Sequence, residues 1–361
     1  MKRSPLHDVH IELGAVMSEA GGWEMPAHYG DSQAECRAVR EAVGLLDCSH
    51  RAKLWAVGKD RANFLNSMVT NDIAGLQIGQ GTYAAMVTDK GKMVSDFRIY
   101  VFADHLLLEG EAETRAAAYQ GLEKYNLGYD CTLEDQTEEW GLLSLRGQGA
   151  TALAGAVLGK TLELGPPYRC WEGNFSGQKV LLAHDPILGE EALDLFFPAP
   201  GLGALWEALR REGGDRLRPV GLSALEVLRI EAGVPRFGVD MNSDVNPMEA
   251  GLLNAISFTK GCYIGQEVVA KIDSLGHVNK NLVGLWVEGD TPPAAGSVIF
   301  GEGKKTGHIT SAAHSPTLGR VVAMGYVHRR FREPGQTIEV ELDGRHEKAE
   351  VAKTPFYRRA A

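Results

Sequence analysis

Three short stretches of this 361-residue chain hold residue types able to do chemistry. The first is Lys260-Gly261-Cys262-Tyr263-Ile264-Gly265-Gln266-Glu267. A lysine two positions from a thiol favours the thiolate, the form that attacks electrophiles and ligates metals. Gly261 and Gly265 permit tight backbone, and Gln266 and Glu267 suit the start of a following helix. The same residues also describe a plain turn and helix start with an incidental thiol, and taken alone they favour that account. The second stretch, Gly147-Gln148-Gly149-Ala150-Thr151-Ala152, fits the G-x-G-x-x-A pattern that seats a pyrophosphate on a helix N-terminus. No parallel βαβ series surrounds it, so glycines demanded by a strand-to-helix turn explain it better. The third, His184-Asp185, has the makings of a base and its orienting carboxylate. With no nucleophile in view it reads as a loop pair. His7 and His10 could share a helix face, but no third ligand lies near them in sequence, so no metal site is assigned. No phosphate-loop, H-E-x-x-H or G-x-S-x-G pattern occurs.

The elements that must position such groups follow from periodicity and turn chemistry. Helices are expected over residues 10–20 (broken by Gly21-Gly22), 32–43, 59–69, 111–125, 150–158, 202–212 and 223–232. Strands are expected over residues 51–57, 83–87, 93–102, 105–108, 140–145, 178–183 and 192–197. Asp89-Lys90-Gly91 reads as a hairpin turn. The pattern restarts after the polar stretch near residues 135–140, which suggests two α+β halves of similar order within residues 1–280. From residue 281 to 361, short alternating segments separated by Gly, Pro and Asp suggest a small antiparallel barrel.

Acidic residues outnumber basic ones by 47 to 37, a formal charge of −10. That argues against a nucleic-acid partner, which calls for a basic stripe. No apolar run reaches membrane-span length, and no secretory leader is read at the N-terminus. Five widely spaced cysteines without a Cys-x-x-Cys pair speak against a disulfide framework, and a cytoplasmic location is expected.

Longer stretches carry a family resemblance. Lys260–Glu267, Leu228-Arg229-Ile230-Glu231-Ala232-Gly233-Val234-Pro235-Arg236-Phe237-Gly238-Val239-Asp240 and Pro247-Met248-Glu249-Ala250-Gly251-Leu252 resemble YgfZ-type proteins. Gly22-Trp23-Glu24-Met25-Pro26, Gly44-Leu45-Leu46-Asp47-Cys48-Ser49-His50 and Val69-Thr70-Asn71-Asp72 resemble the related glycine-cleavage T-proteins. The resemblance spans essentially the whole chain. It implies an α+β fold of two ferredoxin-like units and a C-terminal β-barrel around a cleft for tetrahydrofolate.

By the same resemblance, Asp96 matches the T-protein carboxylate near N5 of the folate, a cofactor-binding and catalytic residue that orients the folate and helps charge develop there. Asp194 matches a carboxylate that grips the pterin, one methylene shorter here. T-proteins carry a folate-contacting arginine where this chain has Leu225, and they lack the Cys262 signature. The expected function is therefore a tetrahydrofolate-binding YgfZ-type protein that supports assembly or repair of iron–sulfur enzymes, with Cys262 as the functional thiol. Its partners would be iron–sulfur client or assembly proteins. The alternative is a tetrahydrofolate-dependent aminomethyltransferase, or a demethylating relative, that works with a lipoyl carrier protein.

Overall fold

The computed structural model describes residues 1–359. Two units share one order of elements. The first runs through strand Ala52–Val57, helix Arg61–Met68, strands Gly81–Val87, Met93–Val101 and His105–Gly110, helix Arg115–Tyr125 and strand Thr132–Asp135. The second runs through strand Trp140–Arg146, helix Ala150–Val157, strands Cys170–Phe175, Gln178–His184 and Ala192–Pro198, helix Leu202–Gly213 and strand Leu217–Pro219. Within each sheet the unit's strands lie in the order second, third, fourth, first, fifth. Without the second strand, which forms an edge, this is the ferredoxin-like arrangement.

The second sheet has one addition. Strand Val43–Asp47 is wedged between the first and fifth strands, antiparallel to Trp140–Arg146 and parallel to Leu217–Pro219. The chain before residue 50 thus packs with the second unit although it precedes the first. Asp47 anchors it: His10 Nε2 lies 2.9 Å from the Asp47 carboxylate, and Ser4 Oγ donates to the same oxygen.

The helix expected over residues 10–20 requires correction. It covers only His7–Glu12, and Gly14 at φ 77° closes it. Val16–Ala20 then pairs antiparallel with Trp23–His28 around Gly21-Gly22. The glycine pair makes a hairpin rather than ending a helix, because both residues take positive φ.

Strand alternation sorts each sheet into two faces. Phe97, Ile99 and Val101 pack with Leu65 and Leu122 of the first unit's helices. Leu143, Leu145, Leu193 and Leu195 pack with Leu153 and Trp206 of the second unit's helices. The opposite faces meet each other: Tyr100, Phe102 and Leu107 share a core with Leu142, Leu181 and Phe196. Two residues further along each of these inner faces the side chains turn polar. Asp96 and Arg98 precede Tyr100, Glu109 follows Leu107, Ser144 and Arg146 follow Leu142, and Asp194 precedes Phe196. The space between the sheets is therefore dry at one end and charged at the other.

Residues from Lys280 onward form a closed six-stranded antiparallel barrel. Helix Leu222–Glu231 and the segment after it bolt the barrel to the two units. Arg229 donates to Asp240 and to Ser311 Oγ of the barrel. Glu231, fully buried, accepts from Arg40 and from Ser315 Oγ. No helix among the described residues is long and apolar enough to cross a membrane.

Candidate functional site

A cavity of about 500 Å³ opens at the charged end of the inter-sheet space. Small-molecule sites commonly enclose roughly 300–1,000 Å³. Both sheets wall it, and the hairpin tip at Ser18–Gly21 and the segment Val234–Arg236 reach its mouth.

Inside, carboxylates alternate with guanidinium groups from one sheet to the other. Arg51 donates to Glu111 and Glu109, and Arg98 donates to Glu109 and, at 3.2 Å, to Asp185. Arg146 donates to Asp185 at 2.7 Å and to Asp194 at 3.0 Å. Ser144 Oγ also donates to Asp194, and Arg146 Nε donates to Ser144 at 2.7 Å. Burying this many charges is tolerable only because each is paired. The flanking arginines hold Asp185 well below the usual carboxylate range, although burial opposes them. Burial raises Asp194 to about 6 in spite of Arg146, with the Asp185 charge adding to the rise.

Asp96 stands apart from this chain of pairs. Tyr83 Oη donates to its Oδ2 at 2.8 Å, while its Oδ1 is buried without a partner. Burial, followed by the nearby Glu111 charge, raises its pKa to about 6. Its strand neighbour Ser95 is turned to the other face and hydrogen-bonds Thr114 at 2.7 Å.

His50 is a second group with unused capacity. Its Nδ1 is buried without a partner, and burial together with Arg51 lowers its pKa to about 4, so the ring is neutral. Its loop is held firmly nonetheless. Ser49 N donates to Asp47 at 2.9 Å, and the buried Lys53 ammonium donates to the Ser49 and Arg51 carbonyls at 2.9 and 2.7 Å.

The structure thus brings Asp96 and Asp194 onto opposite walls of one cavity, with Leu225 on a third side. Arg98, Glu109 and Arg146 are site residues that sequence reasoning misses, and Asp185, expected as one of a loop pair with His184, belongs to the site as well. The available signal was a charge at every second position in strands otherwise apolar enough to be buried.

The Lys260–Glu267 segment lies elsewhere, and its residues do not line the cavity. The Lys260 ammonium donates to the carbonyls of Asn66, Val69 and Asn71 at 2.6, 2.9 and 2.6 Å, closing the C-terminal end of helix Arg61–Met68. A cation there satisfies orphan carbonyls and opposes the helix dipole. It is therefore committed to the backbone rather than to the thiol of Cys262. Tyr263 is buried, and Ile264 packs on the first unit's core. Gly265, at φ 81°, lies against the hairpin turn that leads into the Asp96 strand, where a Cβ would collide with the Thr88 carbonyl oxygen. It directly precedes helix Gln266–Leu275, whose first turn holds Gln266 and Glu267. Gly261 and Cys262 remain exposed.

The G-x-G-x-x-A turn has a structural explanation. Gly147 takes φ 113° where a Cβ would strike the Ala42 and Val39 carbonyls, and Glu191 accepts from Gly149 N at 3.0 Å and Thr151 N at 2.7 Å. The helix N-terminus that would receive a phosphate already holds the chain's own carboxylate.

Comparisons with known proteins agree with this architecture. Residues 6–260 match the GCVT N-terminal domain, and residues 280–358 match the glycine cleavage T-protein C-terminal barrel domain. An aminomethyltransferase of Cutibacterium acnes is 32% identical over 100% of this chain and 99% of its own length. One from Symbiobacterium thermophilum is 34% identical over 99% of this chain and 98% of its own. The crystal structure of the glycine cleavage system aminomethyltransferase T from Bartonella henselae superposes with a TM-score of 0.91 at 28% identity, covering 99% of this chain and 98% of that one. From its full-length match in both domains and in fold, the chain belongs to the glycine cleavage T-protein family.

Proposed function

We propose that the protein is a tetrahydrofolate-dependent aminomethyltransferase that takes its one-carbon unit from a lipoyl carrier protein. The observation carrying this reading is Asp96, whose Oδ1 is buried without a partner in a cavity faced by Asp194. End-to-end similarity to proteins named aminomethyltransferase supports it over the YgfZ-type reading expected from the signature. A cytoplasmic location goes with the reading.

The donor set suits a folate. A pterin presents adjacent N–H and amino donors, and a carboxylate is their natural acceptor. Asp194 offers one, and its bonds to Ser144 and Arg146 hold it at a set angle. Tetrahydrofolate, when bound, supplies the nucleophilic nitrogen that accepts the carbon unit. Asp96 contributes a negative charge where positive charge develops at that nitrogen, from within the protein where screening is weaker than in bulk water. Tyr83 fixes the orientation of that carboxylate by its hydrogen bond. The test is one-carbon transfer from an aminomethylated lipoyl carrier to tetrahydrofolate. A purified protein that binds tetrahydrofolate but transfers nothing would sink the proposal.

A second reading rests on a separate observation. Most residues of Lys260–Glu267 have structural duties, which leaves the Cys262 thiol exposed and without one. This supports a YgfZ-type role in iron–sulfur enzyme assembly or repair, with Cys262 acting on a client protein. Normal iron–sulfur enzyme activities in a strain carrying Cys262→Ala would remove it.

A further inference from the structure

Among the described residues, five arginines line the cavity and no lysine does. They differ in what already holds them. Arg51, Arg98 and Arg146 are each bound to two buried carboxylates, with side chains no more than 13% exposed. Arg229 is 6% exposed and is taken up by Asp240, Glu226, Ser311 and the Val234 carbonyl. Arg236 is the exception. Its side chain is 36% exposed at the mouth, its Nε, like that of Arg229, is buried without a hydrogen-bond partner, and its guanidinium makes no close ion pair. Its nearest anions stand off at 3.5 Å for Glu226 and 3.8 Å for Glu113, and both are themselves solvated.

We propose that Arg236 is the anion-binding residue of this cavity and grips the carboxylate-bearing tail of the bound folate. The proposal rests on the folate reading above and adds an orientation and a specificity determinant to it. The inner walls set five carboxylates, Asp96, Glu109, Glu111, Asp185 and Asp194, against three guanidiniums already paired to them, Arg51, Arg98 and Arg146, and this acidic excess disfavours an anionic tail at that end and suits a donor-rich pterin. The carboxylates of the glutamate tail must then lie at the mouth. Among the described residues, Arg236 is the guanidinium there free to exchange its loose contacts for a paired, fork-to-fork contact with a carboxylate. Leu225, at the position where the family resemblance implies a folate-contacting arginine, cannot supply that charge. Arg236 reaches the same cavity from the loop beyond the helix.

The experiment is calorimetric titration of the full chain and of Arg236→Gln with two ligands, tetrahydrofolate and 6-methyltetrahydropterin, which lacks the tail. The expected result is a roughly 10- to 100-fold weaker tetrahydrofolate affinity in R236Q, the range of one charge-assisted contact, with the pterin affinity unchanged. Arg236→Lys should recover part of the loss, because it restores charge without the planar fork. Equal losses for both ligands would assign Arg236 a structural role and overturn the inference. So would an R236Q variant that binds tetrahydrofolate as the parent does. A parent protein that binds 6-methyltetrahydropterin but discriminates against tetrahydrofolate would overturn it while leaving the pterin site standing. Failure of the parent to bind either ligand would overturn the folate reading itself and this inference with it.

Discussion

Asp96 and Asp194 occupy opposite walls of one cavity, have pKa values raised to about the same level, and are held in opposite ways. Asp194 is braced: Ser144 and Arg146 both donate to its Oδ1, and Arg146 is fixed in turn by Asp185. Asp96 has one donor, Tyr83, and an oxygen with none. A carboxylate whose bonds are already made can present a fixed edge to a ligand. One with an unused oxygen can respond to a charge that appears only during reaction. The two units share a topology, and under the proposed function the second would give its carboxylate to recognition and the first its own to chemistry.

The hardest blow to this contrast is Arg146→Met. It leaves Asp185 and Asp194 without their shared cation, and breaking such a buried pair costs about 3–5 kcal/mol. Urea unfolding should register the loss, along with loss of tetrahydrofolate binding. Asp96→Asn keeps the shape and should cut kcat by about 10²–10³, as removal of one preorganised charge-stabilising group does, with little change in folate affinity. Its stability should move the other way. The folded-state pKa of Asp96 lies above the ordinary aspartate value of 3.8, so the folded protein holds the proton more tightly than the unfolded chain. Stability from this group is present at low pH and is lost as pH rises from about 4 through about 6. Asp96→Asn removes that loss and should be more stable than the parent at pH 7 in thermal unfolding.

Asp194→Ala should weaken tetrahydrofolate binding by about 1–3 kcal/mol with a smaller effect on the transfer step, which is the reverse of Asp96→Asn. Glu111→Gln sharpens the contrast further. Glu111 raises the Asp96 pKa, so its removal should shift the acid limb of the kcat/KM profile, expected near pH 6, to lower pH. The smallest effect belongs to Cys262→Ala. The thiol is exposed and lies away from the cavity, so stability should change by about 0.5 kcal/mol or less and folate affinity not at all.

Much of the architecture is visible in the chain because both strand alternation and turn glycines are local signals. The restart near residue 140 and the barrel strands follow from them. The placement of Val43–Asp47 does not, since a strand entering the second sheet ahead of the first unit is a long-range pairing with no local mark. The site was legible in part. Asp96 and Asp194 came through resemblance, but Arg98, Arg146 and Asp185 are defined by partners across the two sheets, far away in sequence. Lys260 misled for the same reason. Beside Cys262 in sequence it suggested thiol activation, whereas in space it belongs to the end of a helix almost 200 residues earlier.

The most direct test measures tetrahydrofolate-dependent transfer from an aminomethylated lipoyl carrier by the parent and by Asp96→Asn, with folate affinity measured on the same samples. The account predicts transfer by the parent, and an Asp96→Asn protein that binds tetrahydrofolate equally well but turns over at least about 10²-fold more slowly. An Asp96→Asn protein that transfers at the parental rate, or a parent that binds folate and transfers nothing, would contradict it.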